Sequence, residues 1–485
     1  MTGDQNHQKT YESSGTILKP LVATLASTAC QFFLGAMLGQ SSTMLPQLEA
    51  EDSPMKITKE QASWIVATLA STACQFFLGA MLGQSSTMLP QLEAENSPMK
   101  ITKEQASWIA IGNAVIGYSS NITELLIGRF LIGTAAGFGF PSLVYISEIS
   151  IPKHRALLLS SATISASLGL VYIYTIGGYL YWDIAASVTA ALSMISLFYV
   201  FIIPESPAWL YQHQRFDETI ASLKWLKGEN CNIEQELKIL EDSSSKAHTG
   251  KTVHPSQFMR GTVVKPFLIL ACLAFMQNGT GFYIILYYSV DFLREFKTSL
   301  DPQHISIGLA LTRLFSCAIS SYFSKRCNRR TVGIISGFSM AAILAVIFAH
   351  LVLFRDDSSG NSKYSVIPVL SLLLYIFACS LGVHPLPWLM VFELYPLKVR
   401  GVMCGISNAI AYVSTFIFLK LYYVFIVHLE IHGTILLFLG FSVAFGLFSI
   451  FLLPETQGKT LIEIEQGFKS KKERLLLRNN TCSPT

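Results

Sequence analysis

Glu393-Leu-Tyr-Pro396-Leu-Lys-Val-Arg400 has a counterpart earlier in the chain, Glu148-Ile-Ser-Ile-Pro152-Lys-His-Arg155, with the same seven-residue spacing from Glu to Arg. Each octapeptide follows a long apolar run and opens a charged loop. Pro454-Glu455-Thr456 likewise matches Pro204-Glu205-Ser206, and each triplet closes a later apolar run. The two pairs are separated by nearly the same number of residues, so one half of the chain repeats the other in the same direction. Parallel halves with a site between them are a layout of secondary transporters.

Composition points the same way. Of 485 residues, 51% are hydrophobic and 14% charged, against roughly 25% charged in soluble domains. The charge available to cover a water-facing surface is about half the usual amount. That excludes a cytosolic enzyme, a secreted disulfide scaffold and a disordered protein. A net charge of +4, with no basic stripe, gives no footprint for nucleic acid. Six of the nine cysteines, Cys30, Cys74, Cys272, Cys317, Cys379 and Cys404, lie in apolar runs as small hydrophobes. Without CxxC or Cys/His ligand spacing, neither a metal site nor a disulfide framework is expected.

About 20 apolar residues cross ~30 Å of hydrocarbon as a helix. This predicts an all-α polytopic protein with spans at 20–41, 64–85, 108–120, 124–147, 156–181, 184–203, 264–289, 304–323, 332–354, 366–391, 402–427 and 433–453. The N-terminal 15 residues are polar and lack a basic start, so the first apolar stretch reads as a retained span rather than a signal core. The domain plan is a tail at 1–19, a first helix bundle at 20–203, a linker with short amphipathic helices at 204–263, a second bundle at 264–453 and a tail at 454–485.

From Lys153 onward, Lys and Arg concentrate in alternate loops. Lys153/Arg155, the run from Arg215 to Lys265, Lys325/Arg326/Arg329/Arg330, Lys398/Arg400 and the tail from Lys459 fall on one side. The other side holds only Arg294, Lys297, Arg355 and Lys363. Basic residues stay on the cytoplasmic side, which predicts cytoplasmic termini.

A second repeat is of a different kind. Val22–Ile65 recurs as Val66–Ile109 with a single change, Asp52 to Asn96. Structural repeats diverge; near-identity marks a recent duplication or an assembly error. The basic loop Asn328-Arg329-Arg330 has only Gly83-Gln84-Ser85 as its first-half counterpart. The third predicted span covers only ~20 Å. An abnormal first bundle is therefore expected.

Gly128-Arg129-Phe-Leu-Ile-Gly133, Glu148…Arg155, Pro204-Glu-Ser-Pro-Ala-Trp209-Leu, Pro385-Leu-Pro387-Trp388, Glu393…Arg400-Gly401 and Pro454-Glu-Thr-Gln-Gly-Lys-Thr-Leu461 form an ordered set. Together they resemble the sugar porters of the major facilitator superfamily, most of all the insect facilitated trehalose transporter group. The resemblance implies two six-helix bundles that alternate access around a central sugar site in the plasma membrane. It also shows departures. The family's second span, its first-half Asp-Arg-x-Gly-Arg-Arg loop and most of its third span are missing. The second-half loop reads Lys325-Arg-Cys-Asn328-Arg-Arg, and Ala156 and Ala208 stand where glycine and arginine are usual.

A carrier of a neutral sugar needs paired donors and acceptors beside an aromatic face. Gln277-Asn278-Gly279-Thr280-Gly281 matches the family's sugar-contacting Gln-Gln-x-Ser-Gly stretch, and its glycines suit a helix that loosens. Such polar residues also serve as hydrogen bonds between helices. Tyr283 stands where the family often has Asn. Trp388 matches the sugar-facing tryptophan, with Pro385 and Pro387 allowing a bend. His384, in place of a glycine, reads as a structural histidine or as a group narrowing the path. Thr163 is a weaker contact, eight residues beyond Arg155. Arg313, in mid-span, either faces a cavity or pairs with a carbonyl or an acid of another helix.

Arg129, Glu148, Arg155, Glu205, Arg329, Arg330, Glu393, Arg400 and Glu455 match the family's cytoplasmic charge network, which biases a two-state equilibrium. No acid lies in the first span, which favours a uniporter over a proton symporter. No cofactor is implied, and none of the three N-x-S/T matches, at Asn121, Asn278 and Asn479, suits glycosylation. The expected partners are a small neutral sugar and the lipid bilayer. A transport-deficient paralogue that binds or senses sugar is the competing reading.

Overall fold

The computed structural model describes chiefly residues 113–137, 152–202, 204–227, 233–248, 258–294, 300–323, 327–353, 366–396, 399–459 and 461–468, with Phe296, Ala36, Gln40, Thr43, Met44 and Gln47. Apart from the last five positions, the duplicated stretch 22–109 lies outside the described residues, and so does Glu148. Among the described residues all regular secondary structure is α-helical.

The chain divides into two compact units. The first carries α1 (Ile122–Gly137), α2 (Pro152–Tyr179), α3 (Trp182–Ile202), α4 (Pro207–Gln212), α5 (Phe216–Lys227) and α6 (Ile233–His248). Asn121 starts α1: its Oδ1 accepts the Glu124 backbone N–H at 3.0 Å while Glu124 Oε2 accepts the Ser120 N–H at 2.8 Å. This reciprocal cap satisfies donors that a helix start leaves open. Pro152 begins α2, where its missing N–H costs nothing. Tyr172 of α2 meets Thr189 of α3 at 3.2 Å across a short turn. Helices α4 to α6 are the short linker helices, with Leu210, Leu223 and Leu226 buried and Arg215–Glu218 exposed.

The second unit carries α7 (Gly261–Gly279), α8 (Phe282–Tyr287), α9 (Ser289–Arg294), α10 (Pro302–Phe323), α11 (Arg329–Leu353), α12 (Val366–Leu381), α13 (Pro385–Leu394), α14 (Arg400–Phe451) and α15 (Leu461–Phe468). Four stretches among the described residues are long and apolar enough to cross a membrane: Gly261–Gly279, Arg329–Leu353, Val366–Leu394 and Val402–Phe451. The last contains two passes, because Glu430 turns out of helical geometry (φ 55°, ψ −178°), within the gap predicted between 427 and 433. Helix α10 carries Ser306, Thr312, Arg313, Ser316 and Ser320. Its hydroxyls largely bond the preceding turn, as with Thr312 to the Gly308 carbonyl at 2.8 Å, which is how polar side chains survive in an apolar setting.

Two predicted spans are not single helices. The span 264–289 breaks after Gly279, and 366–391 breaks at residues 382–384. Hydropathy is averaged over a whole span, so the short polar or glycine-bearing stretches at 277–281 and 382–384 do not by themselves end the predicted helix. Close helix packing uses small residues: a Cβ at Gly337 of α11 would lie 2.9 Å from the Gly446 backbone of α14.

Candidate functional site

Both breaks have identifiable causes. Gly281 adopts φ +86°, a left-handed conformation open to glycine, and a Cβ there would lie 2.4 Å from the Phe438 ring. The chain therefore leaves α7 and restarts as α8 with Gly281 as the hinge residue. At the second break, Ser336 of α11 acts as a clasp. Its hydroxyl donates to the Ala378 carbonyl at 2.6 Å and accepts the Val383 N–H at 3.0 Å. The His384 N–H returns to the Cys379 carbonyl at 3.0 Å. Backbone groups freed by the break are thus satisfied inside the protein, as an apolar environment demands.

The two breaks face one another. Gln277 Nε2 donates to the His384 carbonyl at 2.9 Å, tying the end of α7 to the start of α13. The rings of Phe282 and His384 lie 4.8 Å apart, and those of Tyr283 and His384 6.1 Å apart. The Trp388 indole lies close to the Tyr283 hydroxyl, and its ring lies 5.9 Å from Tyr412 of α14. Arg313 of α10 places its guanidinium carbon 5.6 Å from the centre of the Phe282 ring. Its charge also acts on Tyr283, Cys379 and His384. The second unit therefore gathers Gln277, Tyr283, Arg313, His384 and Trp388 into one cluster. Tyr283, His384 and Trp388 are half-buried; Gln277 and Arg313 are buried.

Asn278 and Thr280 form the frame of this cluster. Asn278 Oδ1 accepts from Thr415 at 2.8 Å, and its amide nitrogen donates to the Ala274 carbonyl at 2.9 Å. Thr280 donates to the Gln277 carbonyl at 2.7 Å, and its own carbonyl accepts Tyr375 at 2.6 Å. Thr163 is an exposed residue of α2 in the other unit.

The charged residues of the second unit form a separate group at one end of its helices. Arg329 Nη2 donates to Glu393 Oε1 at 3.0 Å, and Thr456 donates to the other oxygen of Glu393 at 2.5 Å. The Glu455 carboxylate accepts the backbone N–H groups of Arg329 and Arg330, each at 3.1 Å. An acid at the N-terminus of α11 satisfies open donors and the helix dipole together. Arg330 donates to the carbonyls of Ser449 and Ile450 at the end of α14, where a cation is equally favoured. In the first unit Arg129 is fully buried, and the Glu205 carbonyl accepts Ser222 at 2.7 Å. Arg155 lies in the first turn of α2 and Arg400 at the start of α14.

Sequence reasoning missed Phe282, Tyr412, Ser336, Tyr375 and Thr415. A lone hydroxyl in an otherwise apolar span was the available signal for Ser336. The ring partners carry no local signal, because they are set by which helices meet. Among the described residues no group of three or more His, Cys, Asp or Glu could hold a metal ion.

Paired broken helices with amides and rings at the breaks, inside an all-helical unit rich in apolar spans, define a membrane carrier of small molecules. The solved structures agree on the fold. An inward-open structure of the xylose transporter XylE from E. coli superposes with TM-score 0.73 at 19% identity, covering 93% of this chain and all of that one. A partially occluded inward-open form gives 0.71 at 18% identity, covering 91% of this chain and 99% of that one. Residues 100–468 match the sugar (and other) transporter family, and the chain belongs to it. Among curated relatives, the facilitated trehalose transporter Tret1 of Bombyx mori is 29% identical over 378 residues, 77% of this chain and 74% of that protein. Tret1 of Apis mellifera ligustica is 28% identical over 358 residues, 73% of this chain and 70% of that protein. The protein is thus a sugar porter of the major facilitator fold, similar to insect trehalose transporters, and not an enzyme.

Proposed function

We propose that the protein is a uniporter that moves trehalose or glucose down its gradient across the plasma membrane by alternating access. Gln277, Tyr283 and Trp388, with Asn278, Thr280 and Gly281 framing them, supply the sugar contacts. The single observation that supports this best is the tie from Gln277 to the His384 carbonyl, which couples the two broken helices at the place where the rings gather. A sugar that takes over the Gln277 amide releases that tie and shifts the balance between two packings of the breaks. The Arg329–Glu393 pair and the Glu455 cap hold one state closed at its cytoplasmic end, with Arg129, Glu148, Arg155, Glu205, Arg330 and Arg400 as the rest of that network. Both termini are cytoplasmic.

The first bundle departs from the family through the duplication of 22–65 as 66–109. That observation favours a second reading, a transport-deficient paralogue that binds or senses sugar. Uptake of labelled trehalose and glucose in cells expressing the full chain separates them. Saturable flux that never exceeds the outside concentration supports the carrier, whereas binding without flux supports the sensor. Sequencing the transcript across residues 22–110 establishes which first bundle the cell makes.

A further inference from the structure

Arg313 is 4% exposed. Among the described residues, nothing accepts a hydrogen bond from its Nε or its Nη1, and no carboxylate pairs with it. A guanidinium stays protonated in any protein setting. It therefore cannot escape the cost of burial by giving up its proton, as a lysine can. The groups its charge reaches are the Phe282 ring, the Tyr283 hydroxyl, the His384 imidazole and the Cys379 thiol, and none of these is an acid. The face of Phe282 offsets part of the charge. The two nitrogens remain idle, within reach of Tyr283.

We propose that Arg313 is a carboxylate anchor, so that this site takes sugars bearing an acid group, of the hexuronate class, in preference to the corresponding neutral hexose. The inference rests on the sugar-carrier reading but shifts its preferred substrate from the neutral sugars named there to their acidic counterparts. A sugar hydroxyl can satisfy the idle N–H groups, but it returns no charge. A carboxylate does both, and its two oxygens match the fork of a guanidinium. Beside it, Gln277 and Trp388 offer the amide and aromatic face that a pyranose ring needs. The acid sets preference, and the ring contacts keep a simple anion from sufficing.

The test is equilibrium binding to the purified full chain in detergent, with D-glucuronate, D-glucuronamide, D-glucose and acetate as probes. Glucuronamide keeps the shape of glucuronate and lacks its charge. Glucuronate is expected to bind about tenfold or more tightly than glucuronamide or glucose, the size of one charge-assisted hydrogen-bond set. In Arg313→Gln that ratio falls to about one, and Arg313→Lys, which keeps the charge without the fork, lies between. Equal binding of glucuronate and glucuronamide to the parent protein overturns the inference, as does acetate binding as tightly as glucuronate. A ratio that survives Arg313→Gln overturns it too, and so does the absence of binding by all four probes. Because binding is read apart from flux, preferential glucuronate binding without uptake sustains this inference while defeating the carrier reading. Glucose uptake that glucuronate does not compete does the reverse.

Discussion

The second unit holds arginines in two settings, a buried one at Arg313 and a partly covered or exposed one at Arg329 and Arg330, and they differ in what surrounds the charge. Arg329 and Arg330, at the start of α11, meet Glu393, Glu455 and the closing carbonyls of α14. Arg313, in the middle of α10, meets rings, a thiol and an imidazole. Charges at the helix ends are matched by acids and dipoles from the same unit, which makes them part of the scaffold. Arg313 has no acid beside it among the described residues, so its charge does not stabilise the scaffold in that way, and the role proposed for it lies in what binds there. The same division applies to the amides. Asn278 bonds to its own helix and to α14, away from the breaks, whereas Gln277 bonds across the two breaks.

The most severe way to break the scaffold side is Glu393→Ala. It leaves the half-covered Arg329 without its acid, and the expected loss of unfolding free energy is about 3 kcal/mol. Thermal unfolding of the detergent-solubilised protein reads it, and adding Arg329→Ala should recover part of the loss if the pair is coupled. Next comes Gly281→Ala, which forces a left-handed alanine into the Phe438 ring. It should cost about 2 kcal/mol by the same measurement. On the ligand side, Trp388→Ala or Gln277→Ala should weaken sugar affinity about tenfold each. Surface labelling should show expression close to that of the parent. The smallest expected effect has the opposite sign. Arg313→Gln removes an unmatched buried charge and should raise stability by about 1 kcal/mol. A stability loss as large as that of Glu393→Ala would place Arg313 with the scaffold and erase the contrast.

Much of the second unit could be read from the chain itself, for physical reasons. Apolar length reports spans, so α11 and the two passes of α14 fall close to the predicted 332–354, 402–427 and 433–453. Acids and bases at repeated spacing report helix ends, which is why Glu393, Glu455, Arg329 and Arg330 could be named before their partners were seen. The sequence concealed the mode of breaking. Gly281 suggested loosening, yet a glycine does not announce a positive φ, and the clasp at residues 382–384 depends on Ser336, which is remote in sequence. Arg313 was visible as a charge in a span. That no acid among the described residues joins it could be learned only from the side chains packed around it.

The most direct test of the account is exchange of labelled trehalose and glucose in proteoliposomes, comparing the parent chain with a Gln277→Ala/Trp388→Ala double variant inserted at equal density. If the joined breaks cradle the carbohydrate, the parent gives flux that saturates and equilibrates, and the double variant needs about a hundredfold more sugar for half-maximal rate. Identical concentration dependence in the two proteins would contradict the account.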